Sequence, residues 1–137
     1  MNILMREIRK CMYGLIGTAA DKRVTARFLF PSTFIGFQGH FPERPVLAGV
    51  CEIQAVKVIL REWKKVPVAI KEIILAKFYS PVTCGEELLF ECREREENGR
   101  EAVVTTIVTG RGEKIAELRL RVSFEDEDTE GNNGGTA

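Results

Sequence analysis

The stretch that decides the fold is residues 39–50, which read GHFPERPVLAGV. It contains His40, the only histidine of the chain, and it closes a proline-rich, aromatic loop that begins at Pro31. The run from Ala48 to Lys65 that follows consists of good helix formers and ends in two lysines, which suit the negative pole of a helix dipole. Because apolar residues occupy most of its circumference, we predict one long helix that other structure surrounds.

Extended segments lie on both sides of this helix. Hydrophobic patterning predicts two strands before it and four after it, at residues 12–19, 23–30, about 70–79, 87–95, 101–109 and 114–124. The dipeptide Asn98-Gly99 predicts a type I′ turn, and the glycines of residues 110–112 mark the next turn, so the last strands form a meander. We therefore predict one α+β domain, residues 1–124, in which a curved antiparallel sheet wraps around the helix and leaves an edge free for dimerisation.

Charge and cysteine content exclude several classes of protein. Twenty basic and twenty acidic residues give a net charge of zero, so the chain lacks the excess of basic residues that is typical of a nucleic-acid-binding protein. The four cysteines have no CxxC spacing and histidine occurs once, so we expect no metal site and a reducing, cytoplasmic location. We expect no signal peptide and no membrane span. Residues 125–137 form an acidic, glycine-rich tail that we expect to be disordered.

Two motifs resemble those of one enzyme family. Residues 39–50 resemble the GHFPxxPVxPGV motif of the β-hydroxyacyl-acyl-carrier-protein dehydratases of the FabZ and FabA type, and residues 76–88, AKFYSPVTCGEEL, resemble the KF..PV..G..L stretch of the same family. The resemblance covers residues 9–124. It implies a hotdog fold, a homodimer and an acyl substrate that is carried on the phosphopantetheine of acyl carrier protein or of coenzyme A, with no further cofactor.

Dehydration of a 3-hydroxyacyl thioester needs a base for the α-proton, donors for the charge that grows on the thioester oxygen, and an acid for the departing hydroxyl. His40 is the predicted base, because the ordinary pKa of histidine, about 6.5, lies close to working pH. Gly49 offers a backbone N–H at the start of the helix, where the dipole favours an anion. The resemblance implies that Gly49 holds the thioester carbonyl and that the carbonyl of Val46 holds the histidine.

The acid is where the chain departs from the family. The family has a glutamate or aspartate, reaching the site from the partner subunit, at the position of Gln54, and a glutamine can orient a water molecule but cannot itself supply the proton. Glu52 is the alternative acid, although helical geometry directs the two side chains about 160° apart. Burial on an apolar face would raise the pKa of Glu52, whereas an exposed first-turn acid would serve only the helix dipole.

The remaining predicted site residues concern binding. Phe37, Phe41 and Val50 are predicted to line the acyl pocket together with Val46, and Arg44 is predicted to contact an acidic carrier protein, since the chain without its tail carries an excess of basic residues. Two other functions remain open from the sequence. A hotdog thioesterase would polarise the carbonyl at Gly49 and position a water molecule, and a non-catalytic acyl-binding subunit would keep the pocket after losing the acid.

Overall fold

The computed structural model describes residues 2–37 and 46–125. Every predicted strand and the predicted long helix are present, with ends shifted by at most three residues. In chain order the elements are helix α1 (Ile3–Lys10), strands β1 (Met12–Thr18) and β2 (Arg23–Leu29), a 3₁₀ turn (Ile35–Phe37), helix α2 (Gly49–Lys64), and strands β3 (Val68–Phe78), β4 (Glu87–Asn98), β5 (Glu101–Gly110) and β6 (Glu113–Phe124).

The six strands form one antiparallel sheet in the order β1-β2-β4-β5-β6-β3. Strands β4, β5 and β6 are neighbours joined by short turns, which confirms the predicted meander. Strand β3 lies on the far side of β6, where Val68 pairs with Phe124 and Phe78 pairs with Ala116. Strands β1 and β3 are therefore the two edges of the sheet.

Helix α2 supplies much of the core. Its buried apolar side chains are Cys51, Ile53, Ala55, Val56, Val58, Ile59 and Leu60. On strands β2 and β4, alternate residues turn inward, as Val24, Ala26 and Phe28 of β2 do, and these three are fully buried. The prediction of an α+β domain built on a sheet and a buried helix is confirmed.

The two predicted turns are both present, but one has a different geometry. Between β5 and β6 the loop residues Arg111 and Gly112 both have positive φ, 54° and 76°, as a type I′ turn requires. Between β4 and β5 the predicted type I′ turn at Asn98-Gly99 is wrong, because Asn98 still pairs with Glu101 and the loop is Gly99-Arg100. Of these two loop residues only Gly99 has a positive φ, 65°, which is the pattern of a type II′ turn.

Helix α1 is absent from the prediction. Asn2 caps it by accepting a hydrogen bond from the N–H of Met5 (2.8 Å), and Met5 and Ile8 are buried where α1 packs on α2. Eight residues make about two turns, which is too short for the helical period to stand out and for the helix to be stable without packing. Within the described ranges, no helix is long and apolar enough to cross a membrane.

The described chain continues just past the predicted domain boundary at residue 124. The N–H of Glu125 donates a hydrogen bond to the carbonyl of Pro67 (2.7 Å), which ties this residue to the start of β3. The rest of the predicted tail, residues 126–137, lies outside the described residues.

Gly17 of β1 leaves room for the indole of Trp63 from α2. A Cβ atom at residue 17 would lie 2.2 Å from Nε1 and 2.4 Å from Cδ1 of Trp63, far inside van der Waals contact. We therefore expect Gly17→Ala to lower the free energy of unfolding by about 1–3 kcal/mol in urea denaturation. In a Trp63→Ala background the same substitution is expected to cost much less, and equal costs in both backgrounds would contradict the contact.

Candidate active site

Helix α2 begins without a side-chain cap. Its N-cap residue, Ala48, has an extended backbone and no side-chain atom that can accept a hydrogen bond from the first turn. The N–H of Cys51 donates to the carbonyl of Ala48 (2.9 Å). The N–H of Gly49 belongs to the first residue of the helix, so no carbonyl within the helix is placed to accept a hydrogen bond from it. This end of α2 is therefore suited to hold a negatively charged oxygen.

A cavity of about 400 Å³ lies beside this helix end. Backbone hydrogen bonds hold its two walls in place: Leu47 N–H donates to the Val82 carbonyl and Tyr79 N–H donates to the Ile115 carbonyl, both at 2.8 Å. One wall comes from the start of α2 and the residues before it, and the other from the end of β3 and the residues after it. The lining residues are Val46, Leu47, Gly49, Glu52, Phe78, Tyr79, Ser80 and Pro81.

Glu52 is a buried acid in the wall of this cavity. Its exposed fraction is 3%, and Oε1 has no hydrogen-bond partner in the described part of the chain. Burial removes water from the carboxylate and raises the pKa of Glu52 from 4.5 to about 7. The Glu52 carboxyl can therefore donate and accept a proton at neutral pH. Its neighbour Cys51 stays a thiol, because burial and then the charge of Glu52 raise the pKa of Cys51 to about 11.

Gln54 lies in different surroundings from Glu52. It is partly exposed, on the stripe of α2 that it shares with Lys57 and Arg61, and it does not contribute to the cavity wall. This arrangement agrees with the angle of about 160° that helical geometry gives the two side chains. Of these two side chains, that of Glu52 lines the cavity beside Gly49 and that of Gln54 does not.

The other predicted site residues are spread over the chain. Phe37 is buried in the core with its ring 6.1 Å from that of Phe34, and Val50 is 54% exposed, so neither lines the cavity of Gly49. Val46 does line it. His40, Phe41 and Arg44 lie outside the described residues, and their roles stay predictions.

The second wall of the cavity contains residues that the sequence analysis did not assign to the site. Phe78, Tyr79, Ser80 and Pro81 line it, and Phe78 and Tyr79 are large side chains that remain about half exposed. They belong to the second motif, residues 76–88, which in the sequence indicates only the family resemblance. The second motif could have predicted that these residues line the site, because two motifs of one family that are far apart in sequence often meet at one site.

The part of the chain that the structure describes contains no candidate metal site. No group of three or more histidine, cysteine, aspartate or glutamate side chains is close enough to hold a metal ion there. The four cysteines, Cys11, Cys51, Cys84 and Cys92, are free.

Known proteins resemble the chain in sequence and in structure. The sequence pattern of the ApeI-like family, described as ApeI dehydratase, matches residues 17–119. The 3-hydroxyacyl-[acyl-carrier-protein] dehydratase FabZ of Clostridium novyi (strain NT) is 33% identical over 91 residues, which are 61% of this chain and 64% of that protein. The match thus spans a little less than two thirds of the length of this curated relative.

Two solved structures show the fold. The dehydratase heterocomplex ApeI:P from Xenorhabdus doucetiae superposes with a TM-score of 0.67 at 20% identity, over 81% of this chain and 99% of the compared chain. A hypothetical thioesterase with coenzyme A from Streptococcus pneumoniae TIGR4 superposes with a TM-score of 0.66 at 5% identity, over 91% and 96% of the two chains. Both likenesses concern the architecture alone, and they confirm the predicted hotdog fold.

Proposed function

The chain belongs to the ApeI-like dehydratase family, and we propose that it removes water from 3-hydroxyacyl thioesters that are carried on the phosphopantetheine of acyl carrier protein or of coenzyme A. The observation that carries the proposal is the cavity in which the N-terminal end of α2, at Gly49, meets the buried carboxyl of Glu52. An oxyanion site and a proton-transferring group on one wall are two of the three groups that the reaction requires.

The third group is the base, and we assign it to His40. Removal of the α-proton places negative charge on the thioester oxygen, which the N–H of Gly49 and the dipole of α2 stabilise. The family resemblance implies that the carbonyl of Val46 holds the histidine. Val46 lines the same cavity as Gly49. Val46 and Gly49 of the first motif and residues 78–81 of the second motif thus line one cavity, which supports the proposal.

A homodimer is part of the proposal. Strand β3 is an edge of the sheet, and large apolar side chains are exposed along it and directly after it: Ile73, Ile74, Phe78 and Tyr79. An exposed edge with apolar side chains is a surface that pairs with another strand. Pairing of two copies along β3 would bring Phe78 and Tyr79, and hence the cavity, to the interface.

The experiment that tests the function follows the ultraviolet absorbance of the α,β-unsaturated thioester. Purified protein is given 3-hydroxyacyl and enoyl thioesters on pantetheine, coenzyme A and acyl carrier protein, and interconversion of the two is the expected result. Release of free thiol would instead indicate the thioesterase. Tight retention of the acyl-pantetheine ligand with no turnover would indicate the non-catalytic binding subunit.

Gly49 is expected to be sensitive to the addition of a single methyl group. A Cβ atom there would lie 2.8 Å from Cζ of Phe78, at the far end of a half-exposed ring, so we expect the fold to absorb the change by a shift of that ring. We expect Gly49→Ala to retain its unfolding midpoint and to lose about ten- to a hundredfold in kcat/KM. An unchanged kcat/KM would contradict an oxyanion site at this helix end.

A further inference from the structure

A dehydratase must supply a proton to the departing hydroxyl, and Gln54, at the position of the family's acid, cannot do so. The geometry points to Glu52 as the proton donor, acting within the same subunit that provides Gly49. This inference rests on the proposed function and adds to it the step in which Glu52 acts, as the donor to the departing hydroxyl, and the subunit from which it acts.

Position along α2 supports the assignment. Glu52 follows Gly49 by three residues, so both lie on one side of the helix, about one turn or 4.5 Å apart along its axis. A 3-hydroxyacyl thioester carries its thioester oxygen on C1 and its departing hydroxyl on C3. A donor that lines the same cavity one turn along the helix is therefore placed to act on the C3 oxygen while the helix end holds the C1 oxygen.

The environment of Glu52 is that of a functional acid rather than of a helix-capping one. A first-turn acid that serves the helix dipole is exposed and charged, but Glu52 is 3% exposed. A carboxyl that stabilises the core makes hydrogen bonds, but Oε1 of Glu52 has no partner in the described residues. Burial without a partner costs free energy and favours the protonated carboxyl, which is the form that a proton donor needs.

The proposed step balances within the site. His40 takes the proton from C2, and the electron pair of that C–H bond forms the C2=C3 double bond through the enolate. The bond from C3 to oxygen breaks as the Glu52 carboxyl donates its proton to the leaving oxygen, which departs as water. The step leaves His40 protonated and Glu52 as a carboxylate, and a proton returned from His40 through solvent restores both groups for the next turnover.

The first test replaces the carboxyl by an amide of the same shape. Glu52→Gln is expected to lower kcat for dehydration by about a hundredfold with little change in KM, because the amide fills the same space but has no acidic proton. Glu62→Gln is the matched control, since it removes the other glutamate of α2, at the far end of the helix from the cavity. It is expected to retain the kcat of the parent.

The second test asks which subunit supplies the acid. Copies with His40→Ala and with Glu52→Gln, carrying different affinity tags, are co-expressed, and the mixed dimer is isolated by two successive affinity steps. If the base and the acid act in one chain, each site of this dimer lacks one group and the dimer is inactive. If the acid came from the partner subunit, one site would be intact and the dimer would have about half the activity of the parent.

The outcomes separate the inference from the function on which it rests. An inactive parent overturns both. An active parent with a fully active, folded Glu52→Gln variant overturns Glu52 as the donor and leaves the dehydratase standing. An active parent, an inactive Glu52→Gln variant and an active mixed dimer overturn the assignment to one subunit. Loss of activity in the Glu52→Gln variant and in the mixed dimer supports the inference in full.

Discussion

Replacement of His40 by alanine is expected to lower kcat/KM for enoyl-thioester hydration by about 10²- to 10⁴-fold, the usual contribution of general acid–base catalysis. The chain has no second histidine that could take over the proton transfer. Cys51, the nearest thiol to Glu52 in sequence, is not a substitute, because burial and the adjacent Glu52 raise its pKa to about 11 and keep it protonated. The same absorbance assay measures the loss.

The His40→Ala variant needs a control for folding, which the single tryptophan provides. Trp63 packs against β1 at Gly17, so its fluorescence follows unfolding of the domain. We expect parent and variant to unfold at the same urea concentration, which assigns the lost activity to the missing imidazole. A variant that hydrates enoyl thioesters as fast as the parent would remove His40 from the reaction.

Glu52→Gln is expected to raise the free energy of unfolding at pH 9 by about 3 kcal/mol relative to the parent, and to leave it nearly unchanged at pH 4. The reason is the buried carboxyl, whose Oε1 has no hydrogen-bond partner among residues 2–37 and 46–125 and whose pKa burial raises from 4.5 to about 7 in the folded protein. Below pH 4.5 both the folded and the unfolded state hold the proton. Between pH 4.5 and 7 only the folded state holds it, so the parent loses stability as the pH rises, and above pH 7 the loss is complete.

Urea denaturation at the two pH values, followed by the fluorescence of Trp63, measures this difference. Glu62→Gln is again the control, because Glu62 is paired only loosely, at 3.7 Å from Arg9 and 3.9 Å from Lys65, and such pairs contribute little. A gain in stability of the same size at pH 4 and pH 9 would show that the Glu52 carboxyl does not titrate in the manner that its burial requires. A variant that is more stable and less active would identify Glu52 as a residue kept for chemistry.

Local patterns in the sequence were sufficient for most of the fold. The period-two alternation of β6 and the wide apolar arc of α2 arise from residues a few positions apart, and they predict strand and helix wherever the rest of the chain lies. The prediction was incomplete where a sequence pattern covered few residues or fitted more than one structure. Helix α1 has only eight residues, and the Asn98-Gly99 dipeptide fits two turn registers, between which the pairing of Asn98 with Glu101 decides.

For the site, the sequence by itself determined which chemical groups are available and in which directions the side chains of α2 point. It identified His40 and Gly49 as chemical groups, and helical geometry separated Glu52 from Gln54. Only the tertiary structure decided which of the two shares the cavity of Gly49, because the second wall comes from Phe78 to Pro81, far along the chain. The burial of Glu52, which raises its pKa, depends on how much water those distant residues exclude. The sequence pattern of α2 alone cannot predict that burial.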